Sequence, residues 1–158
     1  PRENEAGHDL TYQASFGLLS PPAMPKILLA DFVGGEQAIS AALLLLLTRA
    51  TGGGSGYRYV ALSEAAVAFS DPLRFGATVP GNRLGGGLPE YNLYACSQGW
   101  IALAALEPHF KERLLTALEL TEAKADELSQ VFATRPADEW ERWAQQRDIP
   151  LVAVQQVE

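Results

Sequence analysis

Apolar positions in this chain fall into blocks of helical spacing in the first half and blocks of mixed helical and alternating spacing in the second. Asp9 is expected to cap a helix running to about Leu19, after which Pro21-Pro22 and Pro25 stop it and impose extended chain. Ile27-Leu28-Leu29 feeds Asp31, a residue suited to cap a second helix through Glu36 to about Ala50, and Gly52-Gly53-Gly54 ends that helix. Inside it, Ala38 to Leu47 is interrupted only by Ser40. That run is short of the roughly 20 residues a membrane-spanning helix needs, so it predicts a buried helix. Tyr57 to Leu62 is rich in β-formers and predicts a strand, followed by a short helix from Glu64 to about Phe69.

Asp71 to Pro89 holds five glycines and three prolines in nineteen residues, which predicts a long connection between two regions. Beyond it, Tyr91–Ala95 and Trp100–Ala105 alternate as strands around Ser97-Gln98-Gly99, a hairpin pattern. Pro108 suits the first turn of a helix reaching Leu120, with Phe110, Leu114, Leu115 and Leu118 on one side. Two more helices are expected, Glu122 to about Ala133 and Pro136 to about Arg147, the second capped by Thr134 and favoured by Asp138 and Glu139 near its positive end. Leu151–Val154 can close a third strand, and Trp140 and Trp143, three apart, read as core. The fold class expected is α+β. Helices including a long buried one occupy 1–70, a glycine-rich linker 71–89, and a small domain of a three-stranded, mainly antiparallel sheet with three helices 90–158.

Composition narrows the partners. With 158 residues, 47% hydrophobic and 20% charged, the chain has the balance of a globular domain. A net charge of −7 with 12 Lys plus Arg disfavours nucleic acid and anionic membrane, neither of which is expected as a partner. The single cysteine, Cys96, cannot form an internal disulfide, so a cytoplasmic setting is expected. No secretory signal is read at the N-terminus, and a start at Pro1 in place of methionine points to processing or trimming. The glycine clusters at 52–56 and 85–87 match neither a phosphate-binding loop nor a dinucleotide turn, and no zinc spacing or nucleophile elbow occurs. They read as turns, and no metal or bound cofactor is expected.

Three separated stretches carry candidate chemistry: Ala6-Gly7-His8-Asp9-Leu10-Thr11-Tyr12, Leu29-Ala30-Asp31-Phe32 and Leu106-Glu107-Pro108-His109-Phe110. Their order and local sequence resemble family III CoA-transferases, and the Gly-His-Asp form of the first resembles the α-methylacyl-CoA racemase branch. The resemblance runs from about Ala6 to Val154, with further matches at 86–96 and 132–140, and without the Rossmann-like opening region that supplies most of the family's CoA site. Val33-Gly34-Gly35-Glu36 puts a charge where a third glycine is usual, and Asn92 stands where an aspartate is usual.

The resemblance implies that His8 and Asp31 move the α-proton of an acyl-CoA thioester, with Glu107 as partner of the histidine. A thioester acidifies its α-hydrogen because the carbanion delocalises onto the carbonyl oxygen. Inversion then needs a base on one face and an acid on the other. Imidazole suits one role because both of its protonation states are accessible near neutrality, and an aspartate partly removed from water suits the other. Glu64 and Tyr91 resemble further substrate-binding neighbours. Each residue also has a plainer reading: a solvated histidine, helix-start carboxylates at Asp31, Glu107 and Glu64, hairpin packing at Tyr91. The activity implied is acyl-CoA racemisation or epimerisation. The alternatives are CoA transfer between carboxylic acids with Asp31 as nucleophile, and a non-catalytic fragment with a structural or accessory role. Expected partners are an acyl-CoA thioester as substrate and either a second copy of the chain or a separate CoA-binding subunit.

Overall fold

The computed structural model describes residues 5–155, so the start at Pro1 and the outermost residues of the two expected regions lie outside the described residues. The chain forms two compact units, one ending at Phe75 and one beginning at Gly76.

The first unit is helical: α1 (Asp9–Ser15), α2 (Leu29–Ala50) and α3 (Leu62–Arg74). Its core is built from small residues, with Ala30, Ala65, Ala66 and Ser70 out of contact with water. Gly34 explains how α2 and α3 approach so closely, since a Cβ there would stand 2.2 Å from Leu62 Cδ2. α1 is shorter than its apolar pattern suggests, and His8, not Asp9, is its N-cap. Likewise Leu28 caps α2 and offers no side-chain bond, while Asp31 sits inside the first turn. Tyr57–Leu62 forms no strand; it is irregular up to the start of α3, with Tyr57 and Tyr59 exposed. A β-prone segment needs a neighbouring strand, and none lies beside it among the described residues. α3 instead extends through Pro72 into what was expected to be linker.

The burial expected for α2 is corrected. Apolar composition predicts a helix covered on all sides, but α3 and α1 cover only its N-terminal part, leaving Ala30 and Gly34 as its buried residues. Phe32, Ile39, Leu43 and Leu47 are all more than half exposed. Counted whole, this 22-residue helix is long and apolar enough, by length and composition, to cross a membrane, although it carries Asp31, Glu36 and Arg49. A low-polarity face requires a cover, and sequence spacing does not say which molecule provides it.

Early in the second unit, Arg83–Gly87 forms a wide kinked turn in which Gly86 takes φ 90°. Gly85 admits no side chain, because a Cβ would lie 2.0 Å from the carbonyl oxygen of Val79. Strands β1 (Tyr91–Ala95), β2 (Trp100–Ala104) and β3 (Leu151–Ala153) follow in a wholly antiparallel sheet of order β1-β2-β3. Helices α4 (Pro108–Leu118), α5 (Ala125–Phe132) and α6 (Ala137–Gln145) separate β2 from β3. On α6, Ala137, Trp140 and Ala144 form one buried stripe at helical spacing. Trp140 meets Phe132 and Trp143 edge-on at 5.2 Å, and its indole N–H donates to the Phe132 carbonyl at 2.9 Å. Thr134 does not cap α6, a position held by Pro136; its hydroxyl returns to the Val131 carbonyl at 2.6 Å and closes α5 instead.

Candidate active site

Four of the candidate residues stand at helix starts. His8 has extended backbone (φ −135°, ψ 169°) before α1, and its N–H donates to Thr11 Oγ1 at 2.9 Å. Its carbonyl accepts from the amides of Thr11 and Tyr12 at 2.9 and 3.0 Å, so its backbone is fixed while its ring reaches solvent. The Tyr12 ring lies over Gly7 beside it, with Cε1 only 2.5 Å from where a Cβ would be, so a side chain there would displace that ring.

Asp31 occupies the first turn of α2 and is exposed, so among the described residues nothing removes its carboxylate from water. The residues that join these two helix starts are their chain neighbours. Asp9, 4% exposed, accepts the Ala30 backbone N–H on Oδ1 at 2.6 Å and Gln13 Nε2 on Oδ2 at 2.6 Å. Gln13 also donates to the Ile27 carbonyl at 2.9 Å. The carboxylate missing from the α2 N-cap is thus supplied by the preceding helix, α1. Glu64, in the first turn of α3, lines a cavity of about 330 Å³ within this unit, together with Ala6, Thr11, Tyr12, Phe16, Ser63 and Val67.

Glu107 and Tyr91 belong to the second unit. Glu107 is the exposed N-cap of α4, with Pro108 at the first helical position, and its carbonyl accepts from Phe110 and Lys111, each at 3.0 Å. Tyr91 begins β1, half-buried, on a cavity of about 420 Å³ lined also by Leu84, Gly86, Leu93 and Ala102. Asn92 folds its amide back onto the Gly86 carbonyl at 3.0 Å. The structure therefore ties His8 and Asp31 to one clasp inside the first unit, and sets Glu107 and Tyr91 in the second.

Sequence reasoning passed over two polar residues. Asp9 is expected from the sequence only as a cap, while its i,i+4 relation to Gln13 is the signal that marks a side-chain pair. Glu90 gave no signal, because its partner Lys111 is 21 residues away; Lys111 Nζ reaches Glu90 Oε1 at 2.6 Å. Burial pushes the Glu90 carboxyl up, but the lysine hydrogen bond and charge and a backbone hydrogen bond outweigh it and hold the group below its ordinary value. Tyr94, buried and near that charge, is pushed up to about 12. Among the described residues no cluster of three or more His, Cys, Asp or Glu is arranged to hold a metal.

The class of protein is shown by comparison along the full chain: CoA-transferase family III matches residues 1–158, and the chain belongs to that family. Among curated proteins, it is 32% identical over 151 residues to "Alpha-methylacyl-CoA racemase" of Homo sapiens, covering 85% of this chain and 38% of that protein. The racemase of the same description from Mus musculus is 30% identical over 164 residues, covering 85% and 43%. The chain thus spans about two-fifths of the length of these relatives. Its fold is similar to a hypothetical protein (Rv3272) from Mycobacterium tuberculosis, with TM-score 0.78, 19% identity, and coverage of 99% of this chain and 49% of that one. A D175A mutant of Rv3272 superposes with TM-score 0.80 at the same identity.

Proposed function

We propose that this chain carries the proton-moving part of an acyl-CoA racemase or epimerase, acting on the α-carbon of a 2-methylacyl thioester. The observation that supports this most is the placement of two unlike groups, His8 and Asp31, at the starts of two helices bonded to each other within one unit. The racemase relatives point the same way. In this reading one group removes the α-proton from one face, the enolate holds the electron pair on oxygen, and the conjugate acid of the other returns a proton from the opposite face. No net oxidation or hydrolysis occurs. Glu64, which lines the cavity of about 330 Å³ within the same unit, would contact substrate. Binding the nucleotide end of CoA positions the reacting end. With a net charge of −7 on this chain, the cationic contacts for CoA would come from a further chain of different composition. The exposed face of α2 supports such association. A reducing setting such as the cytoplasm fits the free, half-buried Cys96, whose thiol burial pushes up.

The test is α-proton exchange. A 2-methylacyl-CoA incubated with the protein in deuterium oxide loses its α-proton signal by NMR, and His8→Ala or Asp31→Asn abolishes inversion and leaves at most exchange of the enantiomer whose α-proton faces the remaining group. Absence of exchange together with absence of CoA binding by calorimetry supports the accessory reading instead. Exchange of CoA onto an added carboxylate, lost only in Asp31→Asn, supports the transferase reading.

A further inference from the structure

The segment from Phe16 to Leu28, which joins α1 to α2, carries no helix or strand and contains Pro21, Pro22 and Pro25. It does not by itself hold the two helix starts in register. The clasp does: two residues one turn apart on α1, Asp9 and Gln13, both 4% exposed, reach Ala30 and Ile27 across that segment. We propose that Asp9 is a positioning residue, whose buried carboxylate ties the start of α1 to the start of α2 and so sets His8 and Asp31 at a fixed separation.

The geometry is short enough to matter. His8 and Asp31 are each one residue along the chain from the two groups joined by the 2.6 Å bond between Asp9 Oδ1 and the Ala30 amide. Consecutive Cα atoms lie about 3.8 Å apart, so any slip between the helices passes directly to both residues. A local cap at Leu28 would stabilise α2 equally well; placing the carboxylate next to the histidine couples that cap to the site. The inference rests on the proton-transfer reading for its purpose, while the clasp itself is a matter of geometry.

The experiment uses the whole chain and the ring signals of its two histidines, His8 and His109, with His109→Gln to assign them. Asp31→Asn is expected to shift the His8 ring signals when Asp9 is present. The shift should fall by at least about half in Asp9→Ala, and in the gentler Asp9→Asn, which keeps an acceptor for Ala30 but sets two donors against each other at Gln13. Circular dichroism selects a temperature at which the variants keep their helix content. In turnover, Asp9→Asn should lower kcat about tenfold or more with KM within about twofold, as expected for a displaced reacting group. An undiminished ring response in folded Asp9 variants, or no response with Asp9 intact, overturns the proposal. If Asp31→Asn shifts the His8 ring signals through Asp9 but wild type, with any CoA-binding chain supplied, exchanges no α-proton, the clasp stands and the racemase reading fails. Exchange that persists beside an undiminished response in the Asp9 variants does the reverse.

Discussion

Glu90 is nearly enclosed, yet its carboxyl is held below its ordinary value because Lys111 meets it at 2.6 Å and a backbone hydrogen bond adds to that. Its carboxyl sits below 4.5 when folded and returns to that value when unfolded. The stabilisation is therefore present above pH 4.5 and is lost as the pH falls through the folded value. We expect the thermal midpoint of wild type to drop on acidification below that point, and Glu90→Gln to flatten this acid limb while lowering the midpoint at neutral pH. Tyr94 gives the mirror case. Unfolded tyrosine ionises near 10.0 and the folded residue at about 12, so stability declines across that interval, and Tyr94→Phe should remove the decline. Trp140, 2% exposed and bonded to the Phe132 carbonyl, anchors the same unit. Trp140→Ala should cost about 3–5 kcal/mol in denaturant melts.

At the scale of elements, close backbone approach decides more than propensity. Gly85→Ala would drive a methyl into the Val79 carbonyl, and a loss of roughly 1–3 kcal/mol is expected in the melting of the second unit. Unchanged stability would show that the turn at 83–87 has room to shift. The elements legible in the sequence were those whose signals are local: the glycine stop after Ala50, Pro108 opening α4, the alternation of β1 and β2, the Trp140 stripe on α6. Those misread depend on distant partners. Tyr57–Leu62 had strand composition but no strand to pair with, and α2 takes its capping carboxylate from a residue 21 positions away. His8 and Asp31 were legible as candidates from motif resemblance. Their connection through Asp9 was not, because a buried side-chain acceptor leaves no period in the sequence.

For the whole molecule, the central energetic fact is the apolar face of α2, where Leu43, Leu46 and Leu47 are each more than half exposed. Apolar area of that kind is covered by association. In the absence of another chain we expect two or more copies by light scattering at micromolar concentration, and replacing these leucines by glutamine should release monomers. A monomeric wild type would contradict self-association as the cover. The central claim concerns chemistry, and inversion at carbon tests it most directly. Enantiomerically pure (2R)-2-methylacyl-CoA is incubated in deuterium oxide, with any CoA-binding partner chain supplied, and the product is resolved by configuration and deuterium content. Two proton carriers on opposite faces predict (2S) product carrying one solvent deuterium, formed by wild type and by neither His8→Ala nor Asp31→Asn. Product appearing at the same rate in both variants, or no inversion in wild type with CoA bound, would contradict the assignment.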